Sequence, residues 1–115
     1  MSIKKISQKE AYKNETDAVK GWYYQLPDVD DGRSVIYAEV TGDHGQRKVG
    51  DKPRIYYIIA GKGEFIINEE FTMGMPGDVI VIPPHATYSY RATESILKVL
   101  MVMDLIDLTK LRKNK

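Results

Sequence analysis

The sequence predicts an all-β domain: a small jelly-roll barrel with a short helical turn at its N-terminus and a short helix at its C-terminus. Three observations point there. The segment Gly77-Asp78-Val79-Ile80-Val81-Ile82-Pro83-Pro84-His85 is a short β-branched run closed by a Gly before it and two Pro after it. Upstream, Gly61-Lys62-Gly63 separates two more apolar runs and reads as a hairpin turn. Further runs of this kind recur at a spacing that suits a jelly roll.

The elements follow in chain order. Ser7 and Glu10 have capping-box spacing, which predicts one helical turn near 8–13. Polar residues 14–20 then carry the chain to the barrel. Residues 21–26, with Trp22, Tyr23 and Tyr24, form the first strand, and the Asp-rich stretch 27–32 is the turn after it. A second strand spans 34–41. Residues 42–53 are polar and glycine-rich, a loop of about a dozen residues, and loops of that length inside a compact domain are often functional. The remaining strands are expected at 54–60, 64–68, 71–73, 79–82, 87–91 and 96–103. Asp104 suits an N-cap, and Leu105, Leu108 and Leu111 recur every three residues, as in a short helix laid on the barrel. The division is therefore an N-terminal extension at 1–20, a barrel at 21–104 and a C-terminal helix or tail at 105–115.

A chain of 115 residues makes one domain with one core. Seventeen Lys and Arg against sixteen Asp and Glu leave a net charge of +1, so no global field draws nucleic acid or an anionic membrane. The basic tail Lys110, Arg112, Lys113 and Lys115 reads as a solvated terminus. The absence of cysteine removes disulfides and thiol chemistry, and no apolar run approaches the roughly 20 residues of a membrane span. No signal-peptide apolar region follows Met1, so a cytoplasmic protein is expected. Nucleotide-binding glycine motifs and the GxSxG elbow are missing, as is any basic stripe interleaved with aromatics.

Residues 34–103 resemble the cupin family, whose signature is written HxHx(3,4)Ex(6)G and Gx(5)PxGx(2)Hx(3)N. Anchored on Gly61, the first half puts Arg54 at the family's Glu, with Arg47 and Val49, or Lys48 and Gly50, at its two His. Anchored on Gly77 and Pro83, the second half puts His85 at its Gly, Tyr88 at its metal-binding His and Ala92 at its Asn. The spacing is kept while all four metal-ligand positions are changed. The resemblance implies a double-stranded β-helix, the cupin form of the jelly roll, here without metal or other cofactor. It also implies pairing through outer sheet faces.

Side chains alternate across a strand, so an inward Arg54 brings Tyr56 and Ile58 inward with it, and Ile55, Tyr57 and Ile59 face out. The same parity turns Tyr88 and Tyr90 inward and leaves His85 at the barrel mouth. An inward guanidinium cannot lose its proton and needs a partner. That partner is a ligand held by Arg54, Tyr56, Tyr88, Tyr90 and His85, or an internal carboxylate, with Glu39 and Glu64 as candidates. The tyrosines also suit a plain core, and Met101 and Met103 read as core filler. His44 and His85 with Asp43 or Asp51 form a minimal metal set. Trp22, Tyr23, Tyr24, Tyr57 and Ile59 suggest an outward apolar surface and a homodimer.

The expected function is metal-free binding of a sugar, a sugar derivative or a small carboxylic acid in the barrel. Two alternatives stand beside it. One is a metal-independent sugar isomerase or epimerase with Tyr88 as acid, His85 as base and Arg54 as anchor. The other is a structural dimerisation module with a filled barrel.

Overall fold

Among the described residues, ten strands build two antiparallel sheets around one apolar interior. The computed structural model describes residues 4–109. A 3-10 turn at Gln8–Glu10 comes first, where the Glu10 carboxylate accepts from both the backbone N–H (3.2 Å) and the hydroxyl (2.9 Å) of Ser7. The strands are β1 (Tyr12–Glu15), β2 (Val19–Leu26), β3 (Arg33–Val40), β4 (Arg47–Lys48), β5 (Arg54–Ala60), β6 (Gly63–Ile67), β7 (Glu70–Gly74), β8 (Val79–Ile82), β9 (Thr87–Ala92) and β10 (Leu97–Asp104). One sheet has the order β1-β2-β3-β10-β5-β8 and the other β4-β9-β6-β7. Strands distant in sequence lie side by side, as a jelly roll requires.

The core follows from strand parity. Ile36, Ala38 and Val40 on β3, Tyr56 and Ile58 on β5, Phe65 on β6, Ile80 and Ile82 on β8, Tyr88 and Tyr90 on β9, and Leu97 and Val99 on β10 are all buried between the sheets. Their neighbours on each strand face out. Inward Arg54, Tyr56 and Ile58 alternate with exposed Ile55, Tyr57 and Ile59, as the sequence predicts.

Three expectations are corrected. Residues 14–20 do not simply carry the chain to the barrel: β1 pairs with β2 in the register Tyr12↔Tyr23 to Glu15↔Lys20, and the chain turns between Thr16 and Val19. Gly61-Lys62-Gly63 is not a hairpin turn, because β5 and β6 belong to different sheets. Gly61, at φ +79°, turns the chain from one sheet to the other with Ile96 packed against its Cα. The hairpin proper joins β6 to β7 through Asn68 and Glu69, both left-handed. Finally, the loop 42–53 contains β4, whose Arg47 pairs with Tyr88.

The buried Ser34 hydroxyl bonds to the Gln25 side chain and accepts from the Ile106 N–H at 2.9 Å, which ties the segment after β10 across the barrel end. Of the expected C-terminal helix, only Leu108 and Thr109 are helical among the described residues; Lys110, Leu111 and the rest of the tail lie outside them. Among the described residues, no helix is long and apolar enough to cross a membrane.

The outer face of the six-stranded sheet carries two cross-strand apolar rows. Trp22, Tyr37, Leu100, Tyr57 and Val79 are successive register partners, and so are Tyr24, Val35, Val102, Ile55 and Val81. Tyr23, expected on this surface, has the opposite parity and lines the interior instead.

Candidate functional site

A cavity of about 600 Å³ opens at one end of the barrel, between the β1–β2 hairpin and strands β4, β5 and β9. That volume lies within the usual range of small-molecule pockets. Its floor is apolar, from Ile36, Met101, Met103 and Ile106, and its walls are polar. The two Met, expected as core filler, pack in or against the core and also line the cavity.

Tyr88 organises one wall. Its hydroxyl accepts from Arg54 Nη1 at 2.7 Å and sits 2.8 Å from the Tyr56 hydroxyl, either of which can donate to the other. When Tyr56 donates, the Tyr88 proton is left for a third group. The guanidinium of Arg54 also lies over the Tyr88 ring, 5.6 Å from its centre. Neither carboxylate expected to neutralise Arg54 does so: Glu39 accepts from the Tyr37 hydroxyl at 2.8 Å, and Glu64 pairs with Arg91 at 2.8 Å. Arg54 Nε is buried without any hydrogen-bond partner.

His44 supplies the feature the sequence reading missed. Its ring stacks on Tyr90 at 4.4 Å and 20°, and its backbone N–H donates to the Tyr90 carbonyl at 2.8 Å. A carbonyl can only accept, so the 3.2 Å contact to Gly45 O makes Nδ1 the donor and leaves Nε2 with a lone pair. Burial, and then the Arg47 guanidinium, lower its pKa to about 4, so the ring is neutral near pH 7. Arg47, Tyr23 and the β1–β2 hairpin, from Asn14 to Asp17 and at Val19, complete the lining. Asx geometry at Asp43, whose carboxylate accepts from Gly45 N–H at 2.8 Å, fixes the loop that presents His44.

The other expected site residues divide. Arg54 and Tyr88 line the cavity. Tyr56 and Tyr90 lie one layer behind them, buried against Phe65, and burial raises the pKa of both hydroxyls. His85 does not line this cavity. The turn after β8 holds it left-handed at φ +65° with its side chain 65% exposed, 3.6 Å from Asp51. Its N–H donates to Gly50 O, which fixes the turn outside the barrel.

Of the positions that the resemblance sets at metal ligands, Arg54 and Tyr88 line the cavity; at the two His positions Arg47 lines it and Val49 is buried in one alignment, and Lys48 and Gly50 are exposed in the other. A guanidinium has no lone pair to give a cation. Among the described residues, no group of three or more His, Cys, Asp or Glu side chains comes together, and His44 and His85 with Asp43 or Asp51 do not form one.

The chain matches no family model, and no curated protein matches it in sequence. Solved structures do. The Cnp3 cupin domain of Schizosaccharomyces pombe matches at 14% identity with a TM-score of 0.69, over 94% of this chain and 78% of that one. Pac13, a nucleoside dehydratase, matches at 22% identity with a TM-score of 0.76, over 94% and 88%. The Streptomyces protein has also been solved with uridine as variants in which a tyrosine becomes phenylalanine or a histidine becomes glutamine. A predicted oxalate decarboxylase from Thermotoga maritima matches at 20% identity with a TM-score of 0.75, over 90% and 100%. At these identities the likeness concerns the fold, and with the two-sheet topology it makes this chain a cupin-fold protein.

Proposed function

We propose that the chain binds a small polar molecule, a sugar-like compound or a small carboxylic acid, in the barrel cavity without a resident metal. One observation carries this reading. Arg54 is a half-buried guanidinium that lines the cavity with no carboxylate paired to it among the described residues, and a charge so placed is costly unless a ligand meets it. Tyr88 and Tyr23 add hydroxyls and ring faces suited to a hydroxylated ring. The Streptomyces neighbour solved with uridine is consistent with a ligand of that size.

A binding residue that is ill-satisfied when empty limits stability, so the test is Arg54→Met, which keeps the aliphatic stem and removes the charge. Its stability is expected to equal or exceed that of the parent, by up to about 1–2 kcal/mol. A ligand at one hundred times its dissociation constant stabilises the parent by about 2.7 kcal/mol, and that shift disappears in the variant. A thermal-shift screen of sugars, nucleosides and small carboxylates measures both. A strongly destabilised Arg54→Met, with no compound stabilising the parent, means that the arginine plugs a filled barrel.

A second reading, turnover of the same ligand, is favoured by His44. A neutral imidazole with a free Nε2, in the same cavity as the Tyr88 hydroxyl, is an acid–base pair, and the base role once given to His85 passes to His44. Under this reading His44→Gln abolishes turnover of a bound compound by 100-fold or more, about the size of a general-base contribution, while binding persists. His85→Ala leaves turnover unchanged.

A further inference from the structure

We propose that the ligand carries an oxyanion, a carboxylate or a phosphate, gripped between Arg54 and Arg47. This deepens the cavity reading above and rests on it. The register puts Arg47 directly opposite Tyr88 on the neighbouring strand, while Arg54 reaches the same Tyr88 from the opposite sheet. Tyr88 is thus bracketed by two guanidiniums that line one cavity. Each has committed part of its donor set, Arg47 Nη1 to the Gln46 carbonyl at 2.9 Å and Arg54 Nη1 to Tyr88, and each guanidinium carries five N–H donors. Planar forks of this kind match the two oxygens of a carboxylate or phosphate.

The surroundings orient such a molecule. Burial first, and then both guanidiniums, disfavour the charged form of His44, so its Nε2 stays an acceptor on a ring that lines the same cavity. It would take a hydroxyl proton next to the oxyanion. Across the cavity, the hairpin presents exposed Glu15 and Asp17. Glu15 is paired with Lys13 at 3.0 Å, and the Asp17 carboxylate beside it disfavours a second anionic group and suits hydroxyl or amino groups at the mouth end. The chemistry that fits is a hydroxylated ring or short chain with its single anionic group innermost.

Matched pairs on the full chain test this: glucuronate against glucose, glucose 6-phosphate against glucose, and uridine 5′-monophosphate against uridine, each titrated by calorimetry in parent, Arg47→Gln and Arg54→Met. The charged member of at least one pair is expected to bind tenfold or more tightly than its neutral twin. Arg47→Gln is expected to cut that ratio at least fivefold, and the preferred pair separates carboxylate from phosphate. If neutral twins bind as tightly as charged ones, or if Arg47→Gln leaves the ratio intact, the oxyanion grip is overturned while the cavity reading stands. If no compound binds at millimolar concentration and Arg54→Met is strongly destabilised, both fall.

Discussion

Between pH 6.5 and pH 4 the protein is expected to lose about 3 kcal/mol of stability through one side chain, His44. Its folded pKa, lowered to about 4 by burial and by Arg47, lies below the unfolded reference of 6.5. In that window the unfolded chain binds a proton that the folded chain refuses, so stability rises with pH and is lost as pH falls. Above pH 6.5 both states are neutral at this position and the contribution is constant. The loss is a large share of the 5–15 kcal/mol that stabilises a typical domain, and corresponds to roughly 10 °C in melting temperature. Calorimetric melts from pH 7.5 to pH 4 measure it, and His44→Gln removes this part of the slope. An imidazole midpoint above 6 for His44, read by NMR in the folded state, would contradict it. The same property matters for the cavity, because an imidazole that stays neutral near pH 7 keeps its lone pair available to a ligand.

Gly61→Ala is expected to cost about 4 kcal/mol or more, enough to leave a marginal domain partly unfolded at room temperature. A Cβ there would lie 2.1 Å from the Ile96 carbonyl oxygen and 3.0 Å from Ile96 C and Leu97 Cα, all backbone atoms at the start of β10. Nothing in that neighbourhood can rotate away. Gly77 supplies the control: its φ of +93° is equally unsuited to alanine, yet a Cβ there meets nothing within 4 Å. Gly77→Ala should therefore cost only the backbone term, about 1 kcal/mol. Urea midpoints of the two variants separate steric clash from conformational strain, and equal losses would refute the close-approach account.

Strand parity made the middle of the barrel legible. The run at Arg54 to Ala60 and the pair Tyr88 and Tyr90 alternate cleanly because one face of each strand meets the core. The β1–β2 hairpin escaped that logic. Asn14, Glu15, Thr16 and Asp17 border a polar cavity mouth rather than the core, so no apolar alternation marks them. His44 and His85 are both loop histidines next to glycine or proline, and periodicity assigns neither a direction. What separates them is the Asx-fixed loop that seats one on Tyr90 and the left-handed turn that turns the other to solvent. Asp43 followed two residues later by Gly45 was the available signal for an ordered turn at His44. Gly61 looks the same in sequence whether its chain doubles back or changes sheet, since the choice depends on which distant strand, β10 or β9, each neighbour pairs with.

Trp22, the sole tryptophan, stands on the outer sheet face with its ring 5.4 Å from Tyr37 and Lys13 over it at 5.3 Å. The cavity is lined from the opposite side of the same strand, by Tyr23. Selectively excited tryptophan emission therefore reports on the outer face, where Trp22 stands, more than on the cavity. A blue shift in that emission on raising protein concentration would support pairing through this face, and its absence would count against it, while a ligand that fills the barrel is expected to leave the Trp22 band largely unmoved. Tyrosine absorbance near 280 nm, to which Tyr88 and Tyr23 contribute, is the complementary optical handle on the interior, so one cuvette can follow assembly and occupancy as separate signals.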